Sequence, residues 1–241
     1  MERTLLRTKA RAAVYLAMVF VVVVVFEAVP ALADTITISA IDSGTYTSSG
    51  FHLATNKNYT TGISGGTEVR SYFVFNLPSF SGPILSATLQ LTNPANGYTS
   101  PDAFEIFQLY DVLTPIALLE ATSFGATGIF NDLGSGVAYV TQSVSVTNNG
   151  TLVTMTLNAS AISAITAAGG GTWALGGALT TLGGATNEFM FGFTGTDTPI
   201  RALVLTVPTA VPEPGTLGSM SLGLLICGVV SLARGRLRRR Q

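Results

Sequence analysis

The chain has 241 residues, 47% of them apolar and only 10% charged, with a formal net charge of −1. That near-neutrality averages unlike parts. Between Asp34 and Ala210 ten acids face three bases, a formal −7, and the other bases cluster at the two ends. Three bases cannot build the positive field on which nucleic-acid binding rests, so nucleic acid is excluded as a partner. The single cysteine, Cys227, rules out an intramolecular disulfide, and the fold must hold by packing.

In chain order, the N-terminus comes first. Arg3, Arg7, Lys9 and Arg11 precede an uncharged apolar run from Ala12 to Phe26, which is short for a membrane span. Ala31-Leu32-Ala33 then gives the small-x-small pattern that signal peptidase accepts. Residues 1–33 are expected to be a Sec signal peptide, cleaved between Ala33 and Asp34.

Residues 34–207 read as the folded ectodomain. Short runs rich in Val, Ile, Thr, Phe and Tyr recur, most with period two: 35–41, 68–77, 84–91, 104–112, 137–146, 152–157, 173–179, 188–193 and 202–207. Turn chemistry separates them at Asn76-Leu77-Pro78, Ser81-Gly82-Pro83, Asn96-Gly97 and Asn148-Asn149-Gly150. Asn149-Gly150, between two alternating segments, predicts a hairpin. One stretch, 158–168, carries Ile162 and Ile165 three apart. It predicts a short helix with Asn158 or Ser160 as N-cap and Gly169-Gly170-Gly171 as its stop. About nine strands without βαβ alternation predict an all-β, antiparallel sandwich or jelly roll with one short helix.

Candidate chemistry in this domain is sparse. His52 is the chain's only histidine, so no Ser-His-Asp or Cys-His arrangement forms without it. A lone histidine is more often a hydrogen-bonded structural residue. No His/Cys set for zinc and no phosphate loop is read, and no cofactor is implied. Asp102 with Glu105, or Asp111 with Asp132, would be the pairs to serve a glycoside-processing enzyme. The alternative is that these are surface acids of an acidic domain. Asp132, Asn131 and Asp42 offer hard oxygen atoms for calcium without an EF-hand spacing. Arg70 opens the most aromatic run. It is either a donor to a ligand, with Tyr72 or Tyr59 as a stacking face, or the partner of an acid such as Glu68 or Asp102.

The C-terminus closes the organisation. Residues 208–214 form a Pro-rich linker containing Pro212-Glu213-Pro214, an extended stretch that a protease can reach. Gly215 to Ala233 is 19 residues without a charge, long enough to cross hydrocarbon as a helix. Arg234, Arg236, Arg238, Arg239 and Arg240 follow in a basic tail, 234–241, that stays cytoplasmic. Both tails then point inward and the middle lies outside.

Pro-Glu-Pro, apolar helix and arginine cluster, in that order, resemble the PEP-CTERM sorting signal. The resemblance implies processing near Pro212, Glu213 and Pro214 by the membrane protease-transpeptidase exosortase. It further implies an inner-membrane precursor in a Gram-negative bacterium and a mature form at the cell surface or in the exopolysaccharide matrix. A second resemblance rests on Asn58-Tyr59, on Arg70-Ser71-Tyr72-Phe73-Val74-Phe75, and on Ser86-Ala87-Thr88-Leu89. These look like a β-sandwich superfamily of non-catalytic modules appended to polysaccharide lyases and surface proteins, some of which bind carbohydrate. It implies the fold, and contact with exopolysaccharide through Arg70, Tyr72 and Tyr59.

Overall fold

The structure is a computed structural model that describes residues 33–192 and 199–209. Residues 33–208 form one compact unit. Its strands are β1 (Ala33–Thr47), β2 (Thr61–Ser64), β3 (Thr67–Asn76), β4 (Ser86–Asn93), β5 (Glu105–Asp111), β6 (Ala138–Val144), β7 (Thr151–Thr156), β8 (Thr172–Leu179), β9 (Glu188–Met190) and β10 (Arg201–Pro208). Three short helices join them: α1 (Ile116–Leu119), α2 (Thr127–Asp132) and α3 (Ala159–Ala167). Every pairing is antiparallel, along the path β6-β5-β8-β3-β1-β10-β4-β7, with β2 on β3 and β9 on β2.

β1 connects the two halves of that path. Its first half pairs with β10, from Ala33↔Pro208 to Ser39↔Ala202. The register then slips between Ala40 and Asp42, and the second half pairs with β3. Ile41, the extra residue at this bulge, is 59% exposed. A bulge of this kind re-aims every following side chain, because the pleat has a period of two. So Asp42, Ser43 and Gly44, which continue the strand, are all buried.

The main core lies on one face of each half. Phe73 and Phe75 of β3, Phe107 and Leu109 of β5, Leu89 and Leu91 of β4, and Leu203 and Leu205 of β10 meet there. β3 is also buried on its other face, where Tyr72, Val74 and Tyr46 meet Leu119, Phe130 and Leu133. That second cluster is covered by the excursion between β5 and β6, residues 112–137, which carries α1 and α2. The unbroken run Tyr72-Phe73-Val74-Phe75 is the sequence trace of a strand covered on both sides. The same layering explains Gly176 in β8. A Cβ there would stand 2.6 Å from the Leu133 carbonyl oxygen, so the excursion can only lie this close over glycine.

All nine predicted strands are present. β2 and the second half of β1 were not predicted, because glycines, serines and threonines dominate both. The predicted helix at 158–168 forms as α3, with the Asn158 side chain accepting from the Ala161 N–H at 3.1 Å and Gly170 turning left-handed at φ 79°. Two expectations are corrected. Among the described residues three helices occur, where one was expected in the ectodomain. α1 and α2 are each a turn or two long, too short for a 3.6 periodicity to show. The Asn149-Gly150 turn forms, with Gly150 at φ 69°, but no hairpin. β6 pairs with β5 and β7 with β4, so the turn carries the chain between the two ends of the path. Asn158 then ties those ends together: its N–H donates to the Tyr139 carbonyl at 2.9 Å and its side chain to the Ala138 carbonyl at 2.8 Å.

No helix among the described residues is long and apolar enough to cross a membrane. The expected signal peptide 1–33 apart from Ala33, which begins β1, the motif at Pro212 to Pro214, the span 215–233 and the basic tail lie outside the described residues.

Candidate functional site

The three residues singled out as a ligand trio do not share a surface. On β3, Arg70 and Tyr72 face the excursion, whereas Tyr59 lies in the main core against Phe73 and Phe191. Tyr59 and Tyr72 have no exposed surface. Their hydroxyls are used inside, that of Tyr59 donating to the Thr92 carbonyl at 2.8 Å. Arg70 is an internal clamp. Its Nε donates to Glu68 at 3.1 Å and Nη1 to the Phe130 carbonyl at 3.2 Å, and the guanidinium lies 4.2 Å from the centroid of the Phe130 ring. Of the two readings of Arg70, the geometry matches pairing with Glu68. A cation at the last carbonyls of α2 also suits the helix dipole. Trp173, 8% exposed, belongs to the main core beside Phe75 and Tyr139.

The carboxylates considered for glycoside chemistry are engaged in holding loops. Glu105 is wholly buried and accepts from the hydroxyls of Ser100, at 2.7 Å, and Thr181. Asp111 accepts the Val137 N–H at 2.6 Å. One oxygen of Asp132 accepts the N–H groups of Leu113 and Thr114 and the Thr114 hydroxyl, at 2.6–3.0 Å. Asp102 is exposed. Asp132 holds Leu113 and Thr114 while Asp42 on β1 holds Lys57 and the Ser43 N–H, so the two carboxylates considered for calcium are engaged with separate partners. Among the described residues no three His, Cys, Asp or Glu side chains gather as a metal site.

The densest polar constellation is one the sequence reading did not assemble. Beyond the bulge, β1 places Asp42 inward. Asp42 pairs with Lys57 Nζ at 2.6 Å, receives the Ser43 N–H at 2.7 Å, and lies 3.4 Å from the Tyr72 hydroxyl. That hydroxyl is 3.3 Å from His52 Nε2, and His52 Nδ1 is 3.0 Å from the Thr45 carbonyl. The ring stacks on Tyr46 at 4.6 Å, and the Tyr46 hydroxyl donates to the Leu119 carbonyl of α1 at 2.9 Å. Gly44 makes the assembly fit, since a Cβ there would stand 2.7–2.8 Å from Tyr72 and His52. His52 is 1% exposed.

Burial sets the electrostatics. It holds the His52 imidazole below its ordinary range; the Thr45 carbonyl and Asp42 oppose this, and Lys57 adds to it. Burial, followed by the Asp42 carboxylate, pushes the Tyr72 phenol and the Glu120 carboxyl up. The Tyr72 hydroxyl thus lies between the Asp42 carboxylate and the His52 imidazole, within hydrogen-bond distance of each. The single sequence clue was Asp42, an acid interrupting an alternating strand just before a glycine. Its partners, 15 to 30 residues away, carried no common motif. Comparison with known proteins found no family model that matches the chain and no curated protein that matches it.

Proposed function

We propose that this chain is an exported, non-catalytic surface or matrix protein, sorted by its C-terminus and processed at Pro212-Glu213-Pro214. The observation that carries the proposal is the order of chemistries at the two ends. A basic, apolar, small-x-small leader precedes the β-unit, and Pro-Glu-Pro, 19 uncharged residues and five arginines follow it. In this reading the partners are the Sec and signal-peptidase machinery, an exosortase and, transiently, the inner membrane. The β-unit is then a distorted sandwich of two sheets sharing β1. Its first and last strands are neighbours, with Ala33 opposite Pro208, so both sorting segments join one edge-to-edge strand pair.

The non-catalytic reading is supported by how the acids are used. Those weighed as glycosidase pairs, Asp102 excepted, accept hydrogen bonds from the protein's own backbone and hydroxyls. Contact with exopolysaccharide remains within the proposal as the surroundings of the mature protein. Binding through Arg70, Tyr72 and Tyr59 has no support in the geometry, because the tyrosines are buried and Arg70 holds Glu68 and α2.

The test is expression of the full chain in an exopolysaccharide-producing Gram-negative host, beside a Glu213→Ala variant, followed by mass spectrometry of each cell fraction. The expected mature protein begins at Asp34, lacks Arg234 to Gln241 and leaves the inner membrane, whereas the variant keeps its tail and stays. A wild-type chain that retains Arg234 to Gln241 in the inner membrane sinks the proposal.

A further inference from the structure

We infer that β7 is a docking edge for a second copy of this chain, the two β7 strands pairing antiparallel so that two sheets become one. β7 ends the path β6-β5-β8-β3-β1-β10-β4-β7 and pairs with β4 alone. The bonding pattern fixes which of its groups are left over. The Leu157 N–H donates to the Ala87 carbonyl at 2.9 Å, next to the pair Thr88↔Thr156. Antiparallel ladders alternate between residues that exchange hydrogen bonds and residues that do not. Thr151, Val153 and Met155 therefore bond to β4, and Leu152, Thr154 and Thr156 turn their N–H and C=O groups away from it. All three residues are exposed, and among the described residues none bonds to those groups.

The other strand edges are engaged from within. On β6, the Tyr139 carbonyl accepts the Asn158 N–H at 2.9 Å, the Ala138 carbonyl accepts the Asn158 side chain at 2.8 Å, and the Ser143 carbonyl accepts the Gln142 side chain at 2.9 Å. On β9, Phe189 exchanges N–H and carbonyl with Thr99 at 2.8 and 2.9 Å. Edge strands that stay single are guarded by a charge, a proline or a bulge. β7, Thr-Leu-Val-Thr-Met-Thr, carries none of these. Its six pairs with β4 run without a register shift, and no charged residue falls between Asp132 and Glu188.

Charge and register select a second copy as the occupant. Between Asp34 and Ala210 ten acids face three bases, so two copies repel wherever their acids come together. At β7 they meet without that cost, because β4 beside it is uncharged as well. A foreign strand bearing charge finds no opposite charge here to pair with. About a two-fold axis at Thr154, Thr154 faces the partner's Thr154 and Leu152 faces the partner's Thr156. The left-over groups then match in about six hydrogen bonds. Leu152, 41% exposed, packs on the methyl of the partner's Thr156. The order β1-β10-β4-β7 continues into the partner's β7-β4-β10-β1, and the contact uses up the β7 edge of both copies, so it closes as a dimer.

Cysteine cross-linking of the full chain tests the register. In a Cys227→Ser background, Thr154→Cys brings the two introduced sulfurs together. Directly opposed bonded residues have Cα atoms about 5.5 Å apart, inside the roughly 4.4–6.8 Å that a disulfide spans. A mild oxidant should convert most of this variant to a covalent dimer. Thr37→Cys in the same background, exposed on β1 three strands away, should stay single. No cross-link at Thr154→Cys, or equal cross-linking of the two variants, overturns the inference. Hydrogen exchange read amide by amide gives a second test on the wild-type full chain. The Leu152, Thr154 and Thr156 amides should be protected there and exchange at least about tenfold faster in Thr154→Lys, which sets two like charges across the axis. Val153 and Met155, bonded to β4, should keep their protection in both. Wild-type amides at 152, 154 and 156 that exchange as fast as an open loop overturn the inference.

Discussion

The two sides of β3 are built by different means. On the inner side, Phe73 and Phe75 join a cluster with apolar residues of seven other strands, β4 to β10, and burial does the work. On the outer side, a smaller apolar cluster is fastened by polar bolts: Tyr46 to α1, Arg70 to α2, and His52 to Ser123 through the backbone. Apolar packing tolerates changes of partner as long as volume is kept. Buried hydrogen-bonded chains do not, because removing one member strands the others. The inner side should therefore set global stability, and the outer side should open locally without the rest.

The largest effect is expected from cutting into the inner side. Phe73 is wholly buried and touches the Tyr59 ring at a centroid distance of 5.6 Å. Phe73→Ala should cost about 3–5 kcal/mol, the usual range for deleting a buried phenyl. In denaturant titration the midpoint should fall, and hydrogen exchange should speed up in β4, β8 and β10 together. A loss confined to residues 112–137 would mean that the two sides are not separable as described.

A smaller and local effect is expected at Gly176. An added Cβ meets Leu133 backbone atoms, which cannot rotate away. Gly176→Ala should therefore lift the end of α2 from the sheet, at about 1–3 kcal/mol for overpacking. Exchange should quicken across residues 112–137 while β4 and β10 keep their protection. Uniform destabilisation would show instead that the excursion is integral to the main core.

The inner side was legible in the sequence for a physical reason. Period-two alternation reports a strand with one wet face, and Ala87, Leu89 and Leu91 of β4 fall on the buried face as the pattern requires. The outer layer was not legible, because its helices are too short for periodicity and its sheet face is written in Tyr, Gly and Ala. That Arg70, Tyr72 and Tyr59 do not share a surface was hidden for a related reason. An aromatic strand looks the same whether its second face meets solvent or another layer. Glu68, two residues from Arg70, was the available sign that the arginine had a partner. Asp42 and His52 could be brought together only by a bulge that no residue type announces.

The smallest expected effect belongs to neither side and calibrates both. Glu188 of β9 is 1% exposed, and its carboxylate gathers the N–H groups of Gly183, Gly184 and Ala185 at 2.7, 3.2 and 2.8 Å. The Ala185 N–H, ahead of the opposing effect of burial, holds this carboxyl below its ordinary range. A group lowered in this way stabilises the fold above its unfolded value, near 4.3, and the contribution is lost as pH falls below that. Glu188→Gln should remove this part of the acid response, since an amide has one accepting oxygen and offers an N–H₂ where three donors converge. Denaturant midpoints at pH 7, 5, 4 and 3 should therefore fall less steeply below pH 5 in the variant, from a slightly lower starting point. Parallel curves for wild type and variant would show that the Gly183 to Ala185 turn is held by its backbone alone. The acid limb of the whole domain would then have to come from other carboxylates.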